Sequence, residues 1–220
     1  KEQPIPILKI TPNASAVGKI YSAIPSDGSG DLTVVRNTTA TRINSSGLIE
    51  LVAANVARFT YLTVGGNPFL LDEPQATNLV IWSTDLNNPS FGKGTSIATF
   101  NQGISPNGLN NAVKITRGGA NDVVLQIYGS SIPLNHSRSI WAKTVTGTGF
   151  INLLSHNSNA NSLFAITNQW QRFQINSYNS TGSDNLYAVD FRGASNTLTE
   201  ILVWQPQAEV GATASSEIFT

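Results

Sequence analysis

Short runs in which apolar and polar residues alternate are the main signal in this chain. They fall at residues 32–35, 123–128, 139–145, 150–154, 172–175, 187–191 and 201–204. Each is bounded by Gly, Asn, Ser or Pro. Alternation of period two puts successive side chains on opposite faces of a strand, so the pattern predicts strands joined by turns, as in a sandwich or barrel. One stretch, 48–57, is apolar all round, but it has no cap at its end, and Ile49 and Val52 are β-branched. It predicts a strand or an irregular segment rather than a helix.

The punctuation changes near residue 77. Before it come Pro4, Pro6, Pro12, Pro25, Gly28, Gly30, Gly65, Gly66, Pro68 and Pro74, spaced so that no long regular element fits between them. Residues 1–76 therefore read as an extended N-terminal segment for attachment and oligomerisation. Its apolar pieces, 5–10, 48–56 and 69–71, look too scattered for a private core. Residues 77–220 carry most of the strand runs and Trp82, Trp141, Trp170 and Trp204. The expected architecture is all-β: a jelly-roll or lectin-like β-sandwich preceded by the extended segment.

Composition narrows the partners. Thirteen Lys and Arg balance thirteen Asp and Glu, which gives no electrostatic footprint for a nucleic acid or an anionic membrane. Asn, Ser and Thr supply 67 of the 220 residues, groups that favour turns and strands over helix interiors. Cysteine is absent, which excludes disulfides and thiol chemistry. No apolar run approaches the roughly 18–20 residues of a membrane span, and the first residues lack the apolar stretch of a signal peptide. Methionine is absent too, at position 1 included, so the chain is expected to be processed or cut from something longer.

Several separated motifs carry a family resemblance. Ala40-Thr41-Arg42-Ile43-Asn44, Gly47-Leu48-Ile49-Glu50, Ala54-Asn55, Arg58-Phe59-x-Tyr61 and Leu70-Leu71-x-Glu73-Pro74-Gln75-x-Thr77-Asn78-Leu79 follow one another. Together they resemble a segment of bacteriophage tail-fibre and virion structural proteins that leads into a lectin-like, carbohydrate-binding-module-like sandwich. Ser139-Ile140-Trp141-Ala142-Lys143, Trp170-Gln171-Arg172-Phe173, Trp204-x-Pro206-Gln207-Ala208-Glu209, Ala212-Thr213 and Thr220 resemble the strands of that sandwich. Asp72 stands where such proteins usually have leucine. The resemblance spans residues 31–220. It implies a virion component, in a fibre, tail or head appendage, that forms a homotrimer, contacts other virion proteins and can bind a host-surface glycan.

Catalytic and metal-binding patterns are sparse. His136 and His156 lack metal-ligand spacing, no serine sits in a nucleophile elbow, and phosphate-loop or dinucleotide patterns are absent. The expectation is a protein that is not an enzyme and needs no cofactor. A structural calcium has two candidate loops, Asp85 with Asn87 and Asn121 with Asp122. Sequons at Asn13, Asn37, Asn44, Asn135 and Asn179 are near chance in a chain this rich in Asn, Ser and Thr.

Sugar recognition needs an aromatic surface for the apolar face of a pyranose and planar polar groups for its hydroxyls. If the strands at 123–128, 139–145 and 172–175 are neighbours in one sheet, alternation gathers Gln126, Tyr128, Trp141, Lys143, Arg172 and Gln174 on one face. These six are the candidate glycan-binding residues. Two rival readings stay open: a carbohydrate-binding module or adhesin fragment of a secreted bacterial protein, and a glycan hydrolase. The hydrolase requires two of the carboxylates among Asp72, Glu73, Asp85, Asp122, Asp184, Asp190, Glu200, Glu209 and Glu217 to face each other roughly 5–10 Å apart.

Overall fold

The computed structural model describes residues 7–119, 122–127, 135–156, 162–178 and 186–220, the side chains of 124–127, 156, 177 and 178 excepted. Strands, turns and irregular chain account for all of the described residues, and none is helical. Two compact units are present, Lys1–Pro74 and Gln75–Thr220.

The first unit holds three small antiparallel sheets. Strands β1 (Lys9–Ala16), β2 (Lys19–Ile24) and β3 (Leu32–Thr33) form one, β4 (Ala40–Ile43) pairs with β5 (Ile49–Val52), and β6 (Phe59–Tyr61) pairs with β7 (Pro68–Leu70). The apolar stretch at 48–57 thus resolves into a short strand and an irregular exit, as its β-branched residues favour. Ile20, Ala57 and Phe59 are buried together, with Ile10 and Val34 packed against them. The unit therefore has a core of its own, though a small one, where the spacing of its apolar residues suggested none. Polar ties supplement it. The Arg36 guanidinium donates to the carbonyls of Thr38, Val52, Ala53 and Val56, and Arg58 pairs with Glu73 at 2.8 Å.

The second unit is a sandwich. Its strands are β8 (Ile97–Thr99), β9 (Val113–Thr116), β10 (Val123–Ile127), β11 (His136–Lys143), β12 (Gly149–His156), β13 (Leu163–Ile166), β14 (Gln171–Tyr178), β15 (Leu186–Asp190) and β16 (Glu200–Val210). One antiparallel sheet has the order β10-β15-β12-β13, the other β14-β11-β16-β9-β8. Ile151, Leu153, Leu186, Ala188 and Val189 from the first meet Val113, Ile115, Ile140, Ala142, Ile201 and Val203 from the second in one buried cluster. Complete burial of an aliphatic side chain of this size contributes about 1.5–3 kcal/mol, which makes this layer the main source of stability.

Alternation breaks in β16. The register against β11 shifts between the Ser139–Gln207 and Trp141–Trp204 pairs, and Gln205 takes φ 52°, so one extra residue bulges out. Ile201 and Val203 point into the core before the bulge and Ala208 after it. Trp204, Gln205, Gln207 and Glu209 all contact the C-terminal segment on the opposite side.

Candidate functional site

On β11, Ile140 and Ala142 belong to the core, which turns Ser139, Trp141 and Lys143 to the outer face. On β14, Phe173 and Ile175 pack inward and leave Arg172 and Gln174 outside. The two strands are adjacent, with Trp141 opposite Arg172 and Ser139 opposite Gln174. Four of the six candidate residues are therefore on neighbouring strands of one sheet. Gln126 is on β10 in the other sheet, beside Tyr187 of β15, so the condition that all three strands share one sheet is not met. Its side chain lies outside the described residues, as does Tyr128.

Two segments cover parts of this outer face. Residues 215–220 run across the Trp141–Trp204 rung. Phe219 packs edge-on to Trp204 with ring centroids 5.7 Å apart, and the Trp141 indole N–H donates to Glu217 Oε1 at 2.8 Å. Arg172 completes the arrangement: its Nε lies 3.3 Å from the same Glu217 oxygen. Its Nη1 donates to the Ser215 carbonyl at 2.7 Å and its Nη2 to Ser139 Oγ at 2.9 Å. The other cover is the loop preceding β9. Gly103 approaches Leu202, which is opposite Lys143, and the Ile104 carbonyl accepts the Trp170 indole N–H at 2.8 Å.

Between these covers the Lys143 ammonium sits 5.3 Å from the Trp170 ring centroid, within cation–π range. Trp170 and Lys143 are partly exposed, and Gln174 is exposed farther along β14 on the same face. The arrangement offers an indole surface and a cation, with one amide farther along the face, groups that stack on a sugar ring and bond its hydroxyls. Trp141 and Arg172 have a different part in it. Their polar atoms are engaged by the chain's own Glu217 and Ser215, so they shape the floor. Trp170 was absent from the six because it lies one residue before its strand begins, where alternation assigns no face.

The calcium candidates behave as turn residues. Asp85 Oδ1 accepts the Asn87 amide at 3.2 Å. Asp122 Oδ2 accepts the hydroxyls of Thr95 and Ser96, each at 2.7 Å, and the amides of Gly118 and Gly119 at 3.1 and 2.9 Å. Partial burial pushes that carboxyl up, but the Ser96 and Thr95 hydroxyls and the two glycine amides outweigh it, lowering it from the ordinary 3.8 to about 2. Four donors aimed at one oxygen suit an anion's own needs rather than a cation's. Asn121 lies outside the described residues. Among the described residues no three His, Asp or Glu side chains are gathered to hold a metal ion.

Two further acids are engaged in the fold. Asp190 is fully buried, bonded to Ser155 Oγ at 2.5 Å and paired with Arg192 at 2.6 Å. Glu209 takes the Ser215 amide and hydroxyl at 2.8 and 2.7 Å. Asp184 lies outside the described residues.

No family model matches the chain, and no curated protein does. Among solved structures it is similar to the CBM22-1 xylan-binding domain of Xyn10C from Paenibacillus barcinonensis, at 14% identity and TM-score 0.38, covering 64% of this chain and 95% of that one. A family 11 carbohydrate-binding module from Clostridium thermocellum, in complex with a β-1,3-1,4-mixed-linked tetrasaccharide, matches at 10% identity and TM-score 0.36, covering 58% and 92%. The enzymatically active domain of bacteriophage CBA120 tailspike protein 4 matches at 11% identity and TM-score 0.32, covering 59% and 20%.

Proposed function

We propose that this chain is a non-enzymatic structural subunit of a phage fibre, tail or head appendage, whose sandwich binds a surface glycan through the outer face of β11 and β14. The observation that carries the binding reading is the partly exposed Trp170 ring beside Lys143, next to a floor fixed by Trp141, Arg172 and Glu217. The virion reading draws on the motifs quoted above and on the first unit, which exposes more large apolar side chains than it buries. Such a unit gains a larger core by packing against copies of itself, which supports a homotrimer that joins other virion proteins on the extracellular particle.

A second reading has an observation in its favour. The sandwich closes its own core without the first unit, as a module on a secreted bacterial protein would. Mass measurement separates the two, because a module on a linker has no reason to be trimeric. For the glycan site, the full chain is screened on a glycan array and the best binder titrated against Trp170→Ala and Lys143→Ala. Loss of about tenfold or more in affinity with unchanged melting temperature is expected. An array without any binder refutes the glycan role.

A further inference from the structure

Six residues other than glycine adopt the left-handed backbone among the described residues, and five of them have a local explanation. Asn55, Asn101 and Asn135 are asparagines, which tolerate it. Leu154 is buried in the core, and Gln205 forms the β16 bulge and bonds Ser83 and Ile218. Trp82 is the sixth, at φ 69°, and its side chain is not buried. The residue is 48% exposed, next to Ile81 at 68%. A bulky residue is disfavoured in this conformation, and an exposed indole gives little burial in return. Glycine or asparagine would suit the turn better, so the turn itself does not account for the tryptophan.

The turn is held firmly. The Asp85 amide donates to the Trp82 carbonyl at 2.9 Å, and the Thr84 amide to the Thr220 carbonyl at 3.3 Å. The Ser83 amide bonds Thr220 Oγ1 and the Thr220 amide bonds Ser83 Oγ, both at 3.1 Å. Gln205 Nε2 adds a bond to Ser83 Oγ at 2.8 Å. A ring on a rigid mount loses little freedom on meeting a ligand, and strained backbone of this kind concentrates at ligand clamps. Thr84, Asp85 and Asn87 follow it as exposed residues, placing a hydroxyl, a carboxylate and an amide within five positions of the ring.

We propose that Trp82 is a second saccharide-stacking platform, taking the apolar face of a pyranose while Asp85 and Asn87 bond its hydroxyls. This rests on the glycan-binding reading of the sandwich and adds a ring that lies outside the β11–β14 face. Ile81 widens the apolar surface before the ring, and the exposed residues after it, Thr84, Asp85 and Asn87, are polar, which supplies the hydroxyl-bonding groups that a sugar needs.

The test uses the full chain as wild type, Trp82→Ala, Trp82→Gly and Trp170→Ala. A printed glycan array is followed by calorimetry with its tightest oligosaccharide, with xylohexaose and cellohexaose as fixed reference probes. Both Trp82 variants are expected to lose about tenfold in affinity, the factor that corresponds to 1.4 kcal/mol, and Trp82→Gly to melt above Trp82→Ala because glycine relieves the backbone. Affinity of Trp82→Ala within twofold of wild type overturns the platform, as does a glycine variant no more stable than the alanine one. Sedimentation in which Trp82→Ala abolishes self-association while binding persists reassigns the ring to a contact between copies. Binding that depends on Trp170 alone removes this proposal and leaves the first site standing, whereas a wild-type array with no bound glycan removes both.

Discussion

Asn78 shows how a single amide can hold a fold together. Its side-chain oxygen accepts the amides of Val80 and Ala208, both at 3.0 Å, and its nitrogen donates to the carbonyls of Ile218 at 3.0 Å and Pro206 at 3.3 Å. Asn78→Ala leaves these buried backbone groups without a partner, and orphaned groups cost about 1–3 kcal/mol each before relaxation. A loss of roughly 3 kcal/mol or more is expected in urea unfolding. Glu217→Ala strands the Arg172 charge and the Trp141 N–H in the same way, at a cost of about 3 kcal/mol. Asp122 governs acid stability. Its folded value, about 2, lies below the ordinary 3.8, so its contribution is complete above pH 4 and disappears as the pH falls toward 2. Melting temperatures recorded across that window should drop for wild type, and the drop should be shallower for Asp122→Ala, which has already lost the contacts.

At the level of elements, each of the seven alternating runs overlaps a strand, since alternation records the period of a pleated sheet directly, although Val34 and Val35 lie beyond β3. Strand β9 alternates as clearly, with Val113 and Ile115 buried, although it is not among the seven runs. The far half of β16 was not legible: Gln205, Gln207 and Glu209 are buried polar residues in a strand. They bond the terminal segment, which arrives from elsewhere in the chain: Gln207 Nε2 donates to the Ser216 carbonyl, its Oε1 accepts the Ile218 amide, and Glu209 takes Ser215. Deleting residues 215–220 should therefore uncover the outer face of the five-stranded sheet. The expected result is a lower melting temperature and increased binding of a hydrophobic dye, with strand content by circular dichroism largely kept. Gly118 is a second element-scale constraint, because a Cβ there would collide with the Thr95 carbonyl. Gly118→Ala should separate that loop from the Asp122 turn and destabilise by about 2 kcal/mol.

The whole molecule pairs a small unit with a large one, and their apolar bookkeeping differs. The sandwich buries most of its large apolar residues, whereas in the first unit Val17, Val35, Leu62 at 85% and Val64 at 73% stay exposed and the buried apolar residues are Ile20, Ile49, Val52, Ala57 and Phe59. If the unit completes itself in an oligomer, the full chain should sediment as a trimer, and residues 75–220 alone should unfold cooperatively as a monomer. A stable monomeric full chain would count against the fibre reading. Strand period and turn residues are local properties, so the all-β class and the outward positions of Trp141, Lys143, Arg172 and Gln174 were legible along the chain. Long-range packing alone put Gln126 in the other sheet, set Glu217 against Arg172 and Trp141, and left Trp170 and Trp82 partly open. Those outcomes depend on strand order, on a one-residue bulge and on contacts between residues far apart in the chain, and no local pattern encodes them.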